Sequence, residues 1–253
     1  DFKRIQGAVD IQPADIIGVR IYDRNKGEFV LQKGPIFTNF LMVDEINRLT
    51  PKTQSALLEA MSEGQTTIDG ITYPLADPYL TIATQNPYDA EGTFPLIDAQ
   101  RDRFMFSAAL THLDAENELE VIRRERAGEL NWNTYHDRVT PILIPAEVKA
   151  MTATVSEVRV DEKVLEYMRD IILATRSHSD IDLGASSRAS IAFLRGSRVL
   201  AAIEGRDYVI PDDVRALALP VLRHRIRLTR EATITRIRPD MVINEILESV
   251  EVS

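Results

Sequence analysis

At 253 residues and 44% apolar composition, the chain can bury the core of one large domain or two modest ones. Its formal charge of -9 argues against broad nucleic-acid affinity, and the absence of cysteine excludes disulfides and thiolate chemistry. No apolar run approaches the ~18 residues of a membrane span, and the scattered histidines lack the spacing of zinc ligands. We therefore expect a cytoplasmic protein without a membrane span, a zinc site or a nucleic-acid partner.

The first part of the chain reads as strands with an inserted hairpin. Residues 2–6 are a predicted strand, and the apolar run 40–43 is too short for a helix and typical of a strand buried in a parallel sheet. Between them, residues 19–23 and 28–32 alternate apolar and polar around Asn25-Lys26-Gly27, which indicates a β-hairpin. These segments predict an α/β fold.

Two adjacent carboxylates, Asp44 and Glu45, follow the buried strand. They would lie at the sheet edge where open α/β sheets bind ligands. One carboxylate there can hold a hydrated Mg²⁺, while the other orients or deprotonates a water molecule. This is the Walker B pattern of nucleoside triphosphatases. On these residues alone, a pair that only caps the next helix is an equally good interpretation.

A helix and a second hairpin follow the acidic pair. Thr50 and Pro51 predict the helix start, and the apolar stripe behind them fits packing on the sheet better than a subunit interface. Residues 66–73 carry Asp69-Gly70 between β-prone runs, which strongly indicates a hairpin.

Two further strands are predicted, over residues 79–84 and 104–109. The first ends in Gln85-Asn86-Pro87, which a parallel sheet would place at the same edge as the acidic pair. A strand-end asparagine is usually a turn former, so Asn86 alone does not indicate catalysis.

The remaining chain is predicted to be helical. Asp161 can cap an amphipathic helix, and a loop at 183–189 leads into another helix that ends near Gly205. The other segments are a charged helix at 114–127, a connector at 128–145, a helix that begins at Pro211 and a short one at 241–247.

An arginine-rich segment contains Arg223, Arg225, Arg227 and Arg230. We expect a solvated face there. The alternative is contact with a neighbouring subunit or with a nucleotide phosphate.

Taken together, these stretches resemble the MoxR family of AAA+ ATPases, in family order over nearly the whole chain. The matching stretches are Gly34-Pro35-Ile36-Phe37-Thr38-Asn39, Asp44-Glu45-Ile46-Asn47-Arg48, residues 51–61, Thr67-Ile68-Asp69-Gly70, Ala83-Thr84-Gln85-Asn86-Pro87, Glu91-Gly92-Thr93, Asp102-Arg103-Phe104, residues 184–190 and residues 204–208.

The resemblance implies a role for each site residue, with ATP and Mg²⁺ as cofactors. Asp44 would bind Mg²⁺ through water, and Glu45 would polarise the attacking water. Asn86 matches the first sensor, which helps to place that water. Arg103 matches the arginine finger donated to the neighbouring subunit, and Arg188 matches the second sensor at the start of a lid helix.

The resemblance also implies an architecture and partners. Residues 1–135 would form the AAA+ α/β core with two inserted hairpins that face a ring pore, and residues 136–253 a helical lid domain. The family assembles as hexameric rings and acts as chaperone-like remodellers, often beside proteins with a von Willebrand factor A domain.

The family's phosphate loop, G-x-x-x-x-G-K-[ST], is absent, since none of the eleven glycines precedes a lysine. The opening residues Asp1-Phe2-Lys3-Arg4 resemble neither a signal peptide nor a natural start. We therefore expect the natural protein to be longer at its amino end, with a central strand between those at 79–84 and 104–109.

Two alternatives to a chaperone-like ATPase stay open. One is an AAA+-like assembly or regulatory module that does not depend on nucleotide, although such a module needs neither Glu45 nor the two arginines. The other is a helicase or metal-chelatase motor of the same AAA+ branch. The net negative charge of the chain disfavours a motor that moves along DNA.

Overall fold

The computed structural model describes residues 1–86, 92–130 and 139–252. Its amino-terminal part is an α/β unit, and its carboxyl-terminal part is helical. The first unit contains β1 (Phe2–Gln6), α1 (Pro13–Ile17), β2 (Gly18–Asp23), β3 (Glu28–Lys33), β4 (Phe40–Asp44), a 3₁₀ turn (Ile46–Arg48), α2 (Pro51–Glu63), β5 (Gln65–Ile68), β6 (Ile71–Pro74), β7 (Leu80–Ala83), α3 (Asp98–Arg101) and α4 (Ala115–Arg126).

A three-stranded parallel sheet in the order β1-β4-β7 is the centre of this unit. One of its faces packs on α2, because Leu41 and Val43 point to the same side as the buried Leu57 and Leu58 of that helix. The strands predicted at 2–6, 40–43 and 79–84, the helix start capped by Thr50 and the packing of its apolar stripe on the sheet are confirmed.

The opposite face of the sheet carries apolar side chains that the described residues leave exposed. Phe2, Phe40 and Leu80 lie in register across the three strands, and Phe2 is 61% exposed. One row further along β7, Ile82 is 53% exposed. Both faces of a parallel sheet are normally covered, so this face is incomplete within the part of the chain that the structure describes.

Both predicted hairpins are present. Strands β2 and β3 pair antiparallel, and β5 pairs with β6 around Asp69 and Gly70. Both turn residues have a positive φ, of 49° and 76°, as a two-residue hairpin turn requires.

The prediction of a strand at 104–109 is wrong. This segment joins no sheet, and its backbone is bonded to the lid instead: the Ser107 N–H donates to the Pro220 carbonyl (2.9 Å), and the Phe104 and Met105 carbonyls accept from Arg225. The apolar pattern of residues 104–109 predicted an extended backbone paired with a neighbouring strand. The backbone groups of this segment are instead hydrogen-bonded to Pro220 and Arg225 of the lid.

The lid has its own hydrophobic core, separate from that of the α/β unit. Its elements are α5 (Pro145–Ser156), α6 (Glu162–Ser177), β8 (Ile181–Leu183), α7 (Ser187–Ile203), α8 (Pro211–Leu222), β9 (Arg227–Leu228), α9 (Arg230–Ile234) and α10 (Pro239–Ser249). The caps Asp161 and Ser186 accept backbone N–H groups, as expected at helix starts.

Several elements that are short or have only a weak amphipathic pattern were not predicted from the sequence. They are the helices α1, α3, α5 and α9, the 3₁₀ turn and the small β8–β9 ribbon, so the second half is not wholly helical. The boundary that we predicted at 135/136 and the connector around Trp132 lie outside the described residues and stay predictions. Among the described helices, none combines the length and the apolarity that crossing a bilayer requires.

Candidate active site

A polar cleft of about 240 Å³ opens where the three parallel strands end. The cleft lies at the edge of the sheet that the sequence predicted, since the carboxyl ends of the parallel strands β1, β4 and β7 meet at that edge. The cleft is lined by Arg4, Gln6, Asp44, Glu45, Thr84, Gln85 and Asn86.

Backbone bonds join the acidic pair to the end of β7. The Thr84 N–H donates to the Val43 carbonyl (2.9 Å), and the Ile46 N–H donates to the Thr84 carbonyl (3.0 Å). The Thr84 hydroxyl accepts from the Glu45 N–H (3.0 Å) and donates to an Asp44 carboxylate oxygen (3.2 Å). The two strand ends therefore act as one scaffold for the cleft.

Glu45 has a left-handed backbone, with φ 52° and ψ 51°, directly after the strand. A non-glycine residue in this region is uncommon, and such residues cluster at functional sites. Its carboxylate accepts from the Gln6 side-chain amide (3.0 Å) and pairs with the Arg48 guanidinium (3.1 Å). The carboxylate is therefore held at the cleft by groups on both sides.

Asp44 is nearly buried, and one of its oxygens accepts from Arg4 (2.6 Å from Nε). Asp44 and Glu45 place two carboxylates at the cleft, and among the described residues no group of three histidine, aspartate or glutamate side chains is placed to hold a metal. Mg²⁺ bound beside a nucleotide keeps several waters and needs only one or two carboxylates. The donor set therefore suits hydrated Mg²⁺ in company with phosphates.

Gly7, directly after β1, allows the backbone there to lie close to the backbone of the acidic pair. Its N–H donates to the Asp44 carbonyl (2.7 Å), and a Cβ at this position would lie 2.2 Å from the Glu45 carbonyl oxygen. Only glycine fits there without moving one of the two backbones. Nothing in the sequence around Gly7 indicates this contact, so the role of Gly7 is visible only in the structure.

Asn86 lies in the same cleft, so the structure brings it together with Asp44 and Glu45. Its backbone carbonyl accepts from the Asn47 side-chain amide (3.5 Å), which links it to the turn after Glu45. Pro87 and Glu91, which belong to the quoted family stretches, lie outside the described residues.

The two candidate arginines lie outside the cleft, and both belong to the surroundings of Asp102. Arg103 follows α3 with an exposed side chain, and its guanidinium donates to the Ala99 carbonyl (3.0 Å). Arg188, in the first turn of α7, pairs with Asp102 (3.1 Å), the residue next to Arg103. Neither arginine is among the residues that line the cleft.

The expected solvated face at the arginine-rich segment is wrong for Arg225. Its side chain is 2% exposed and pairs with Asp102 (3.1 Å). Arg223 pairs with Asp240, and Arg227 pairs with Asp98 and Asp182. The partners are remote in sequence, so spacing alone could not reveal them.

Arg4, Gln6 and Thr84 are cleft residues that the sequence analysis also missed. A signal for the first two was present. They alternate with the buried Ile5 along β1, so they share a face that leads to the carboxyl edge of the sheet.

Comparison with known proteins agrees with this architecture. Residues 1–106 match the ATPase family associated with various cellular activities (AAA), and residues 173–246 match the AAA lid domain. The chain is 42% identical to protein YeaC of Bacillus subtilis over 253 residues, which are 100% of this chain and 77% of YeaC.

Two further similarities carry more specific information. The chain is 40% identical to Chaperone MoxR1 of Mycobacterium tuberculosis, over 98% of this chain and 67% of MoxR1. The crystal structure of a candidate ATPase from Cytophaga hutchinsonii superimposes with a TM-score of 0.89 at 42% identity, over 100% of this chain and 78% of that one. With these identities along nearly its whole length, the chain belongs to the MoxR family of AAA+ ATPases.

Proposed function

We propose that this protein hydrolyses ATP with Mg²⁺ and uses the energy for chaperone-like remodelling of a partner protein. The observation that carries the proposal is the shared cleft of Asp44, Glu45 and Asn86 at the carboxyl edge of the parallel sheet. Membership of the MoxR family and the similarity to Chaperone MoxR1 support the chaperone-like role.

Each side chain of the cleft has a separate task in this proposal. Asp44 holds a hydrated Mg²⁺, which neutralises phosphate charge when it is bound with ATP. Glu45 accepts a proton from the attacking water, and Asn86 orients that water. The contacts from Gln6 and Arg48 support the role of Glu45, because they fix the direction in which its carboxylate faces.

Arg103 acts as an arginine finger on the nucleotide of a neighbouring subunit in the proposed ring, and Arg188 acts as the second sensor at the start of the lid helix α7. Their support is geometric: Arg103 is exposed, and Arg188 contacts the adjacent Asp102. A guanidinium can donate two parallel hydrogen bonds to the oxygens of a phosphate group. An arginine supplied by a neighbouring subunit raises the turnover rate by a factor of about 10³–10⁵. We propose a hexamer, a cytoplasmic location and a von Willebrand factor A domain partner on the basis of the family resemblance.

The described residues provide no phosphate loop, so the cleft is only part of a nucleotide site. We propose that a further strand and its phosphate loop complete it. The exposed apolar face of Phe2, Phe40, Leu80 and Ile82 supports this, because such a face needs a cover.

The substitution Glu45→Gln in the full-length protein tests the proposal. We expect ATP to bind normally and turnover to fall about 10²–10⁴-fold, because glutamine cannot accept the proton. Glu59→Gln, the same change on the exposed face of α2, is the matched control and should keep wild-type turnover. Wild-type turnover in Glu45→Gln would refute the proposal and favour a module that does not hydrolyse nucleotide.

A titration with a fluorescent ATP analogue tests the incomplete site separately. The 253-residue chain should bind the analogue weakly, whereas the full-length protein should bind it tightly. Tight binding to the shorter chain would refute the need for an additional phosphate loop.

A further inference from the structure

Arg225 binds the backbone on both sides of the candidate arginine finger. Its guanidinium donates to the carbonyl of Asp102 (3.4 Å), which precedes Arg103, and to that of Phe104, which follows it. A third bond reaches the Met105 carbonyl (3.0 Å). The guanidinium also donates to the Val221 carbonyl (2.6 Å), one turn earlier at the end of α8. Arg225 thus fastens the finger segment to the lid.

The Asp102 carboxylate extends this connection to the start of α7. It accepts from Arg225 Nε (3.1 Å), from the Ser186 hydroxyl (2.8 and 2.9 Å to its two oxygens) and from Arg188 (3.1 Å). Ser186 is the cap of α7, so two separate elements of the lid bind the residue immediately before Arg103. This carboxylate is largely shielded from solvent, which strengthens the interactions with its partners.

Other contacts of the segment also come from the lid. The Phe104 carbonyl accepts from His224 Nε2 (2.9 Å), which therefore carries the proton, because a carbonyl oxygen can only accept. Burial lowers the pKa of His224 to about 4, so the imidazole is neutral at pH 7. A Cβ on Gly196 of α7 would lie 3.1 Å from the Phe106 ring, which shows how closely this ring packs on the lid.

We propose that Arg225 is a positioning residue for Arg103, and that it makes the finger a part of the lid rather than of the α/β unit. The inference rests on the proposed function, in which Arg103 acts on a neighbour's nucleotide. Lid movement and finger placement would then be one event. Lysine cannot replace Arg225, because one ammonium group cannot reach carbonyls and a carboxylate in these several directions.

The substitution Arg225→Lys in the full-length protein provides the first test. We expect kcat to fall about 10²-fold, as for a catalytic group displaced by ~1 Å, with little change in the KM for ATP, because the subunit's own cleft is intact. Arg230→Lys is the control, since it is an exposed arginine of the same segment and should keep wild-type kcat. Wild-type kcat in Arg225→Lys would overturn the inference.

Mixed rings separate a misplaced finger from a damaged subunit. An Arg225→Lys subunit keeps an intact cleft, whereas a Glu45→Gln subunit keeps an intact finger. Mixing the two should therefore recover activity at every site where a Glu45→Gln subunit donates its finger to an Arg225→Lys neighbour. The mixture of Arg103→Ala subunits with Glu45→Gln subunits is the reference, because its recovered ATP turnover shows how much activity an intact finger from a neighbour restores.

The outcomes of mixing are distinguishable. Recovery with Arg225→Lys that matches recovery with Arg103→Ala supports the inference, whereas recovery with Arg103→Ala alone overturns it. Full activity of Glu45→Gln by itself would contradict the proposed function instead. If Arg225→Lys does not fold by circular dichroism, Asp102→Asn takes its place, because asparagine keeps one acceptor oxygen for the Arg225 and Ser186 donors.

Discussion

Replacing Gly7 with alanine should damage the cleft although none of the residues that line it is substituted. The new Cβ would lie 2.2 Å from the Glu45 carbonyl oxygen and 2.9 Å from that of Asp44. Real Cβ contacts essentially never fall under 3.0 Å, so one backbone must shift by about 0.8 Å at least. Both contacting atoms are backbone, so no side-chain rotation can relieve the clash.

This shift has two measurable effects. Overpacking of this kind costs about 1–3 kcal/mol, which urea denaturation of the purified chain detects as a lower midpoint. Moving Glu45 by about 1 Å should also lower the proposed ATP turnover about 10²-fold. Both effects follow from the same contact, so we expect them together.

Gly64→Ala is the matched control. Gly64 ends α2 with φ +65°, and a Cβ there meets nothing within 4 Å. It should cost about 1 kcal/mol through its left-handed backbone, and it should leave turnover unchanged. Wild-type stability and turnover in Gly7→Ala would refute the close contact between β1 and the acidic pair.

Two further predictions concern the stability of the lid. The pKa of His224 is about 4 in the folded chain and ordinarily 6.5, so its contribution is complete above pH 6.5 and is lost as the pH falls towards 4. Between pH 7 and pH 5 this loss amounts to about 2 kcal/mol, and it should be absent in His224→Gln, as measured from the urea-unfolding free energies at the two pH values. Asp213 accepts from Arg206 twice and from the Ile210 N–H at the start of α8. Asp213→Ala should lower the thermal midpoint by the equivalent of about 1–3 kcal/mol, whereas Asp212→Ala should have a smaller effect, and equal effects would contradict the role of the bonds to Asp213.

The elements of the fold could be predicted from the sequence wherever a local sequence pattern determines the backbone conformation. Asp69-Gly70 predicted its turn because two residues with positive φ determine the hairpin. The run 40–43 predicted β4 because a strand covered by neighbours needs continuous apolar residues. The joint position of Asp44 and Asn86 followed from the rule that parallel strands end at one edge.

Interactions between distant segments could not be predicted in this way. Residues 104–109 have the pattern of a strand, yet Arg225 and Pro220, more than a hundred residues later, supply their hydrogen-bond partners. Arg225 itself looked solvated because the sequence shows a charge but not the carboxylate that compensates its burial. The same limit applies to Gly7, whose requirement comes entirely from the strand beside it.

The outer side of β7 has a consequence for how the chain behaves in concentrated solution. No other strand among the described residues pairs with Leu80–Ala83 beyond β4, so a short row of peptide groups faces outward beside apolar side chains. An edge strand with such unpaired N–H and C=O groups is a template on which a strand of another molecule can pair. Preparations of the 253-residue chain should therefore aggregate as their concentration rises, and Ile82→Lys should improve solubility.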